Sequence, residues 1–282
     1  SQGIHLVFDK SFLPSDYALM VPKTSDGRVL FAVPWHDKII VGTTDTLIKS
    51  HSLEPIALES EIEFVLETAQ RFLAKKPTRA DVLAVFAGLR PLAAPEKEGQ
   101  STKEVSRSHK IFVSETGLIT ITGGKWTTYR KIAEDIIDKA ISEKKLPKKE
   151  CKTEHLSIRG NQKTSTLDRE NHLYVYGSDI KNIMALQNNA LELKEKIHPD
   201  YDFTMAEVAW AIRYEMAITL DDILARRVRL LFLDSRAAIS SCEKVARFMA
   251  KELGKDELWI TNQISEFKTI ANGFLLPEFR SN

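Results

Sequence analysis

Residues 118–130 read Leu118-Ile119-Thr120-Ile121-Thr122-Gly123-Gly124-Lys125-Trp126-Thr127-Thr128-Tyr129-Arg130, an apolar, β-branched strand that runs through two glycines directly into a helix. Paired glycines let the backbone turn sharply and approach a ligand closely. Unpaired N–H groups at the start of the next helix then point at whatever fills the turn, and Lys125 adds a full positive charge. Ile132, Ala133, Ile136, Ile137 and Ala140 recur at helical spacing, with Thr127-Thr128 expected to cap the helix. Two readings fit the pattern, a turn that holds an anion and a plain strand-to-helix connection.

Upstream of this stretch the chain is rich in strand signals. Ile4-His5-Leu6-Val7-Phe8 reads as a strand with no lead-in, as expected of a piece of a longer polypeptide. Runs 17–21 and 29–35 are further strands, separated by the turn signal Thr24-Ser25-Asp26-Gly27, and His36-Asp37 turns the second of them into 38–44 as a hairpin. Ile62, Val65, Leu66, Ala69, Phe72 and Leu73 give a helix that ends before Pro77. Residues 81–92 return to a strand with Arg90 near its end, 95–103 form a polar loop, and 110–113 with 117–122 make a second hairpin that feeds the glycine turn.

Downstream the character changes. Residues 142–152 are a charged, proline-interrupted linker, so the boundary falls between a domain over 1–145 and a helical domain over 146–282. Thr204-Met205-Ala206-Glu207 is a capping-box pattern, and Thr219-Leu220-Asp221-Asp222 looks like a second helix start. Ser235 is expected to cap a helix running toward Gly254, and a last helix runs from about Asp256 to Gly273. The fold class is α+β, an antiparallel or mixed sheet followed by an all-α C-terminal domain.

With 282 residues, 43% of them hydrophobic, the chain can bury two real cores, at roughly 150 residues per domain. Forty basic and 39 acidic residues leave a net charge of +1, which gives no reason to expect nucleic acid as a partner. Cys151 and Cys242 are the two cysteines, which excludes a cysteine-rich zinc site and suits a reducing, cytoplasmic setting. No metal site is expected. No charge-free apolar run approaches the ~20 residues of a membrane span, and the first residues do not read as a signal peptide, so any membrane contact is expected to be peripheral.

No G-x-G-x-x-G, H-E-x-x-H, G-x-S-x-G or Walker motif occurs. What remains is a set of charged residues at strand ends, His5, Arg90, Arg107 and Lys125. An arginine buried at a strand end needs an anionic partner, because an unpaired buried charge costs several kcal/mol. That partner is either a substrate anion or a neighbouring carboxylate. For Arg107 the rival is plain solvent exposure, and for His5 an ordinary edge-strand histidine.

Phe86-Ala87-Gly88-Leu89-Arg90-Pro91-Leu92, then Ser106-Arg107, then residues 122–130 resemble, in order and spacing, the FAD-dependent aerobic glycerol-3-phosphate dehydrogenases. Gly3-Ile4-His5, Phe31-Ala32-Val33-Pro34-Trp35 and Gly42-Thr43-Thr44-Asp45 fit the middle region of that family, and Ala225-Arg226-Arg227-Val228-Arg229 fits its C-terminal helical domain. The resemblance covers nearly the whole chain but only the C-terminal half of the family's length. It implies that Gly124, Lys125, Trp126 and Thr127 face the flavin ring, where a positive helix end stabilises the charge of reduced flavin. It implies further that Arg90 and Lys125 hold the substrate near the flavin, that Arg107 grips its phosphate, and that His5 sits by the C2 hydroxyl as candidate base; Arg90 or water remain rivals for that last role. His5, Arg90 and Lys125 are thus the catalytic candidates.

The implied reaction is oxidation of sn-glycerol 3-phosphate to dihydroxyacetone phosphate, in glycerol metabolism, with electrons passed to a quinone or oxygen. The FAD site is incomplete, since the family's first Rossmann lobe has no counterpart here, so this chain alone is expected to be inactive, with the sheet that begins at Ile4 exposing an edge where that lobe should pair. Peripheral attachment to the inner face of the cell membrane, a basic footing on lipid at Arg226, Arg227 and Arg229, and a homodimer stay open. The alternative in a different class is a non-catalytic phosphometabolite-binding or interaction module that kept the anion site.

Overall fold

The computed structural model describes residues 1–90, 108–161 and 171–280, so the loop expected over 95–103 lies outside it. The chain groups into two compact units. The larger comprises Gln2–Thr46, Ser50–Gly88 and Gly160–Asn282; the smaller comprises Leu89–Arg159 with Leu47–Lys49 and Ser1.

The larger unit is built on a five-stranded sheet of β1 (Gln2–Asp9), β2 (Leu19–Val21), β3 (Leu30–Trp35), β4 (Lys38–Gly42) and β5 (Ala84–Leu89), in spatial order β2-β3-β4-β1-β5. The pairings β2–β3, β3–β4 and β4–β1 are antiparallel. His36 and Asp37 join β3 to β4 with φ of 47° and 59°. Positive φ at both turn residues matches the twist of the flanking strands, which is why two residues suffice there. Ile4, Leu6 and Phe8 alternate along β1 and pack in one core with Ile62, Val65 and Ala69 of α1 (Glu59–Phe72). Burying each such aliphatic side chain contributes roughly 1.5–3 kcal/mol.

The edge strands of the sheet that begins at Ile4 are β2 and β5. β1 lies inside the sheet, between β4 and β5. After α1 the chain returns and lays β5 against β1, a long-range pairing that adjacency in sequence does not announce. On the other side of β5 the Val85 N–H donates to the Phe274 carbonyl (2.9 Å), and just ahead of the strand the Leu83 carbonyl accepts from both the N–H and the hydroxyl of Ser235 (3.1 and 3.0 Å).

In the smaller unit the hairpin of β6 (Lys110–Val113) and β7 (Ile119–Thr122) feeds the glycine turn, a 3-10 turn over Trp126–Thr128, and α2 (Tyr129–Glu143), as the sequence pattern indicated. α2 buries none of its residues.

The C-terminal part of the larger unit is helical: α3 (Ile180–Asn189), α4 (Leu191–Lys194), α5 (Met205–Tyr214), a π-helical turn over Asp222–Arg227, α6 (Leu230–Leu233), α7 (Ser235–Leu253) and α8 (Glu257–Asn272). The capping box at Thr204 forms: Glu207, itself buried, accepts from the Thr204 N–H (2.8 Å) and meets His172 Nε2 at 3.0 Å. Thr219 and Asp222 cap the π-helical turn reciprocally. At α7 the expected cap is displaced by one residue. Asp234 accepts from the Ala237 N–H at 3.0 Å, and Ser235 instead bonds Leu83, just ahead of β5. Arg226 and Arg227 pair with Asp221 and Asp222 (2.6 and 3.3 Å).

Candidate functional site

The two glycines of the turn are required twice over. Gly123 and Gly124 have φ of 78° and 84°, a region that side-chain-bearing residues seldom occupy. A Cβ on Gly123 would lie 2.8 Å from the Ser108 carbonyl oxygen, and one on Gly124 would lie 2.5 Å from Ile132 Cδ1. The backbone therefore passes closely over Ser108, just ahead of β6, and over α2 before entering the 3-10 turn. Thr128 occupies the N-cap position of α2, but its hydroxyl donates to the Lys125 carbonyl (2.9 Å) and caps no N–H group. The expected threonine cap is absent because the tighter turn brings that carbonyl within reach. The Thr128 N–H donates to the Lys125 carbonyl (3.0 Å) and the Tyr129 N–H to the Trp126 carbonyl, so the N–H groups with no partner inside the turn are those ahead of Thr128.

Lys125, Trp126 and Thr127 are exposed on this turn, Trp126 at 86%, with its ring stacked 5.6 Å from that of Tyr129. The carboxylates of α2 are engaged locally. Asp135 pairs with Lys131 and His109 (both 2.9 Å), and Glu134 pairs with Arg130 (2.5 Å) and Lys131 (3.2 Å). The Lys131 ammonium, hydrogen-bonded to Asp135, holds that carboxyl below the usual range, as Arg130 does for Glu134, so both are anionic near neutrality. The exposed Lys125 takes no part in these pairs. A glycine cradle, the N–H groups that open the 3-10 turn, an exposed cation and a flat exposed indole form a donor set that fits an anionic, planar group such as a flavin ring edge.

In the larger unit, His5 lies at the middle of β1 opposite Gly42 of β4. A Cβ on Gly42 would stand 2.5 Å from His5 Cδ2 and 2.7 Å from the Ile4 carbonyl oxygen, so glycine is the residue that admits the imidazole. From β5, Phe86 stacks on the His5 ring, with centroids 5.2 Å apart and planes 21° from parallel. His5 is therefore an interior-strand histidine wedged between its neighbours; the edge-strand alternative fails because β5 covers that side. The strand beneath it is anchored. Ile4 N–H donates to Thr44 Oγ1 (3.0 Å), the Thr44 hydroxyl donates to Glu61 Oε1 (2.7 Å), and Gln2 Nε2 donates to Glu61 Oε2 (2.8 Å). Glu61, 3% exposed, also accepts from the Leu58 N–H (3.1 Å).

The structure keeps Gly124, Lys125, Trp126 and Thr127 together on one turn. Arg90 belongs to the same unit, directly after β5, with its N–H bonded to the Ser1 carbonyl (2.8 Å). His5 belongs to the larger unit. Arg107 lies outside the described residues. Sequence reasoning missed Glu61 and the position of Phe86. A glutamate three residues after a helix start was the signal for the first; nothing in sequence pairs Phe86 with His5.

Residues 114–258 match the family described as the C-terminal domain of alpha-glycerophosphate oxidase, and residues 1–130 match the FAD dependent oxidoreductase family. The chain is 36% identical to the mitochondrial glycerol-3-phosphate dehydrogenase of Arabidopsis thaliana, over 97% of this chain and 48% of that protein. It is 34% identical to the mitochondrial enzyme of the same name from Schizosaccharomyces pombe, over 97% of this chain and 49% of that protein. The glycerol-3-phosphate dehydrogenase from Bacillus halodurans, solved in complex with FAD, superposes with a TM-score of 0.81 at 26% identity, covering all of this chain and 58% of that one. The chain thus spans about half the length of these relatives.

Proposed function

Because the chain belongs to the FAD-dependent glycerol-3-phosphate dehydrogenase family and carries its alpha-glycerophosphate oxidase C-terminal domain, we propose that it is the C-terminal part of a flavoprotein that oxidises sn-glycerol 3-phosphate to dihydroxyacetone phosphate. The observation that carries this reading is the glycine cradle opening on Lys125, whose donor set suits a flavin. Gly124, Lys125, Trp126 and Thr127 would hold the ring portion of FAD. When bound, FAD supplies the acceptor for the hydride that leaves C2 of the substrate. Lys125 and Arg90 orient the substrate, Arg107 binds its phosphate with a planar two-pronged fork, and His5 takes the proton of the C2 hydroxyl. Residues 1–145 act as the substrate-binding and flavin-facing domain and 146–282 as the helical domain, with the pyrophosphate and adenosine of FAD held by a lobe outside this sequence.

Electrons then pass to a quinone or oxygen. We assign a cytoplasmic location, peripheral on the inner face of the cell membrane. Two free cysteines support the reducing setting, and no helix among the described residues is long and apolar enough to cross a membrane. The test is anaerobic addition of glycerol 3-phosphate to the full-length protein. Bleaching of the flavin absorbance is expected. A flavin that stays oxidised rejects the reading and leaves the non-catalytic phosphometabolite-binding module.

A further inference from the structure

An aromatic file runs from His5 into the helical part of the same unit. Phe86 stacks on the His5 ring, Phe232 of α6 meets Phe86 edge to face at 5.0 Å and 71°, and Phe274, just beyond α8, meets Phe232 at 5.0 Å and 84°. The backbone reinforces the file just ahead of Phe86: Leu83 is bonded to Ser235 at the start of α7, and Val85 is bonded to Phe274. The imidazole is the ring at the end of this file. Its second torsion has a broad, shallow profile, so rotamer preference alone does not fix the ring plane. On the β4 side Gly42 offers no side chain to lean on.

We propose that the helical part orients the catalytic histidine, with Phe232 as a positioning residue that acts on His5 through Phe86. The inference rests on the function proposed above, in which His5 takes the substrate proton. It gives the helical part a role in the reaction beyond packing. Edge-to-face contacts constrain both the distance and the tilt of a ring, so a change at Phe232 reaches His5 as a change of plane. Phe232 touches neither substrate nor flavin in this scheme. Its loss should leave binding intact and degrade the alignment for proton transfer, a defect that falls on kcat.

The experiment uses the full-length protein with histidine ring carbons labelled, the His5 signal being assigned with His5→Gln. Phe232→Leu is expected to lower kcat roughly tenfold with less than about a twofold change in KM, and to move the His5 ring signals as the Phe86 ring current shifts. Phe232→Tyr, which keeps the ring, should restore both readings to wild type. Phe232→Met, which keeps much of the volume and removes the ring, should give the same split of kcat from KM, which keeps the test decisive if Phe232→Leu fails to fold. Unmoved His5 signals in a folded Phe232→Leu protein, or moved signals with unchanged kcat, overturn the inference. Moved signals in a protein that never oxidises glycerol 3-phosphate reject the assigned function and leave the orienting file standing.

Discussion

Replacing Glu61 with alanine should destabilise the larger unit by about 3 kcal/mol, and the figure follows from what the carboxylate holds. Its oxygens accept three hydrogen bonds, from the Thr44 hydroxyl, the Gln2 amide and the Leu58 N–H. The group is 3% exposed, so water does not replace these bonds when the side chain is cut. Hydrogen bonds to a buried charge contribute roughly 1.5–3 kcal/mol each. They do not add, because removing the charge also relieves its own desolvation, and that offset brings the sum down to about 3 kcal/mol. At roughly 2–4 °C per kcal/mol for a unit of this size, Tm should fall by about 6–12 °C.

Glu61→Gln keeps the volume and one acceptor. Its amide NH2 must face a donor, and the Thr44 hydroxyl can adapt by accepting from it alongside the Ile4 N–H, for a net loss of about 1 kcal/mol. Thermal and urea unfolding of the two variants, read by circular dichroism, measure both values. An alanine variant within about 0.5 kcal/mol of wild type would refute the three-bond account.

Lys125→Ala in the full-length enzyme should cut turnover strongly, because it removes a charge that acts where negative charge develops in a water-poor site; wild-type kinetics would sink the assignment. Arg107→Ala should raise KM for glycerol 3-phosphate while sparing weak activity on glycerol, and equal losses on both substrates would argue against a phosphate role. The isolated 282-residue chain should be colourless and inactive, since it has no Rossmann fingerprint for the pyrophosphate; a yellow protein with one flavin per chain after incubation with FAD would contradict this. Arg79, hydrogen-bonded to Glu278 and also to Glu59, holds the Glu278 carboxyl down to about 2. A depressed carboxylate contributes stability that is present above the ordinary carboxylate range and is lost as the pH falls toward 2. Arg79→Ala should therefore flatten the acid limb of the stability profile between about pH 5 and 2, and an unchanged acid limb would exclude that contribution.

What could be read from the sequence was local. The glycine turn, the two-residue His36-Asp37 hairpin and the Thr204–Glu207 capping box all involve residues within a few positions of each other, where backbone chemistry decides the outcome. Errors of one residue arose where two side chains of similar chemistry compete. Asp234 takes the α7 cap because its carboxylate reaches the Ala237 N–H, which releases Ser235 to bond Leu83.

The interior place of β1 was hidden for a different reason. β5 follows a whole helix and pairs backward, and hydrophobic alternation states which face of a strand is buried but not which strand lies beside it. The same limit applies to the candidate site. Lys125 and its glycines form one contiguous motif, whereas the surroundings of His5 come from β4, β5 and α6. Gly42 is the sharpest case: its significance is the Cβ it lacks, and only the imaginary atom 2.5 Å from His5 Cδ2 reveals what that absence admits. A glycine in a strand usually weakens it. Here the sheet tolerates that weakness in an interior strand, where β1 and β3 flank it on both sides, and the space gained is filled by the one imidazole that the proposed chemistry requires.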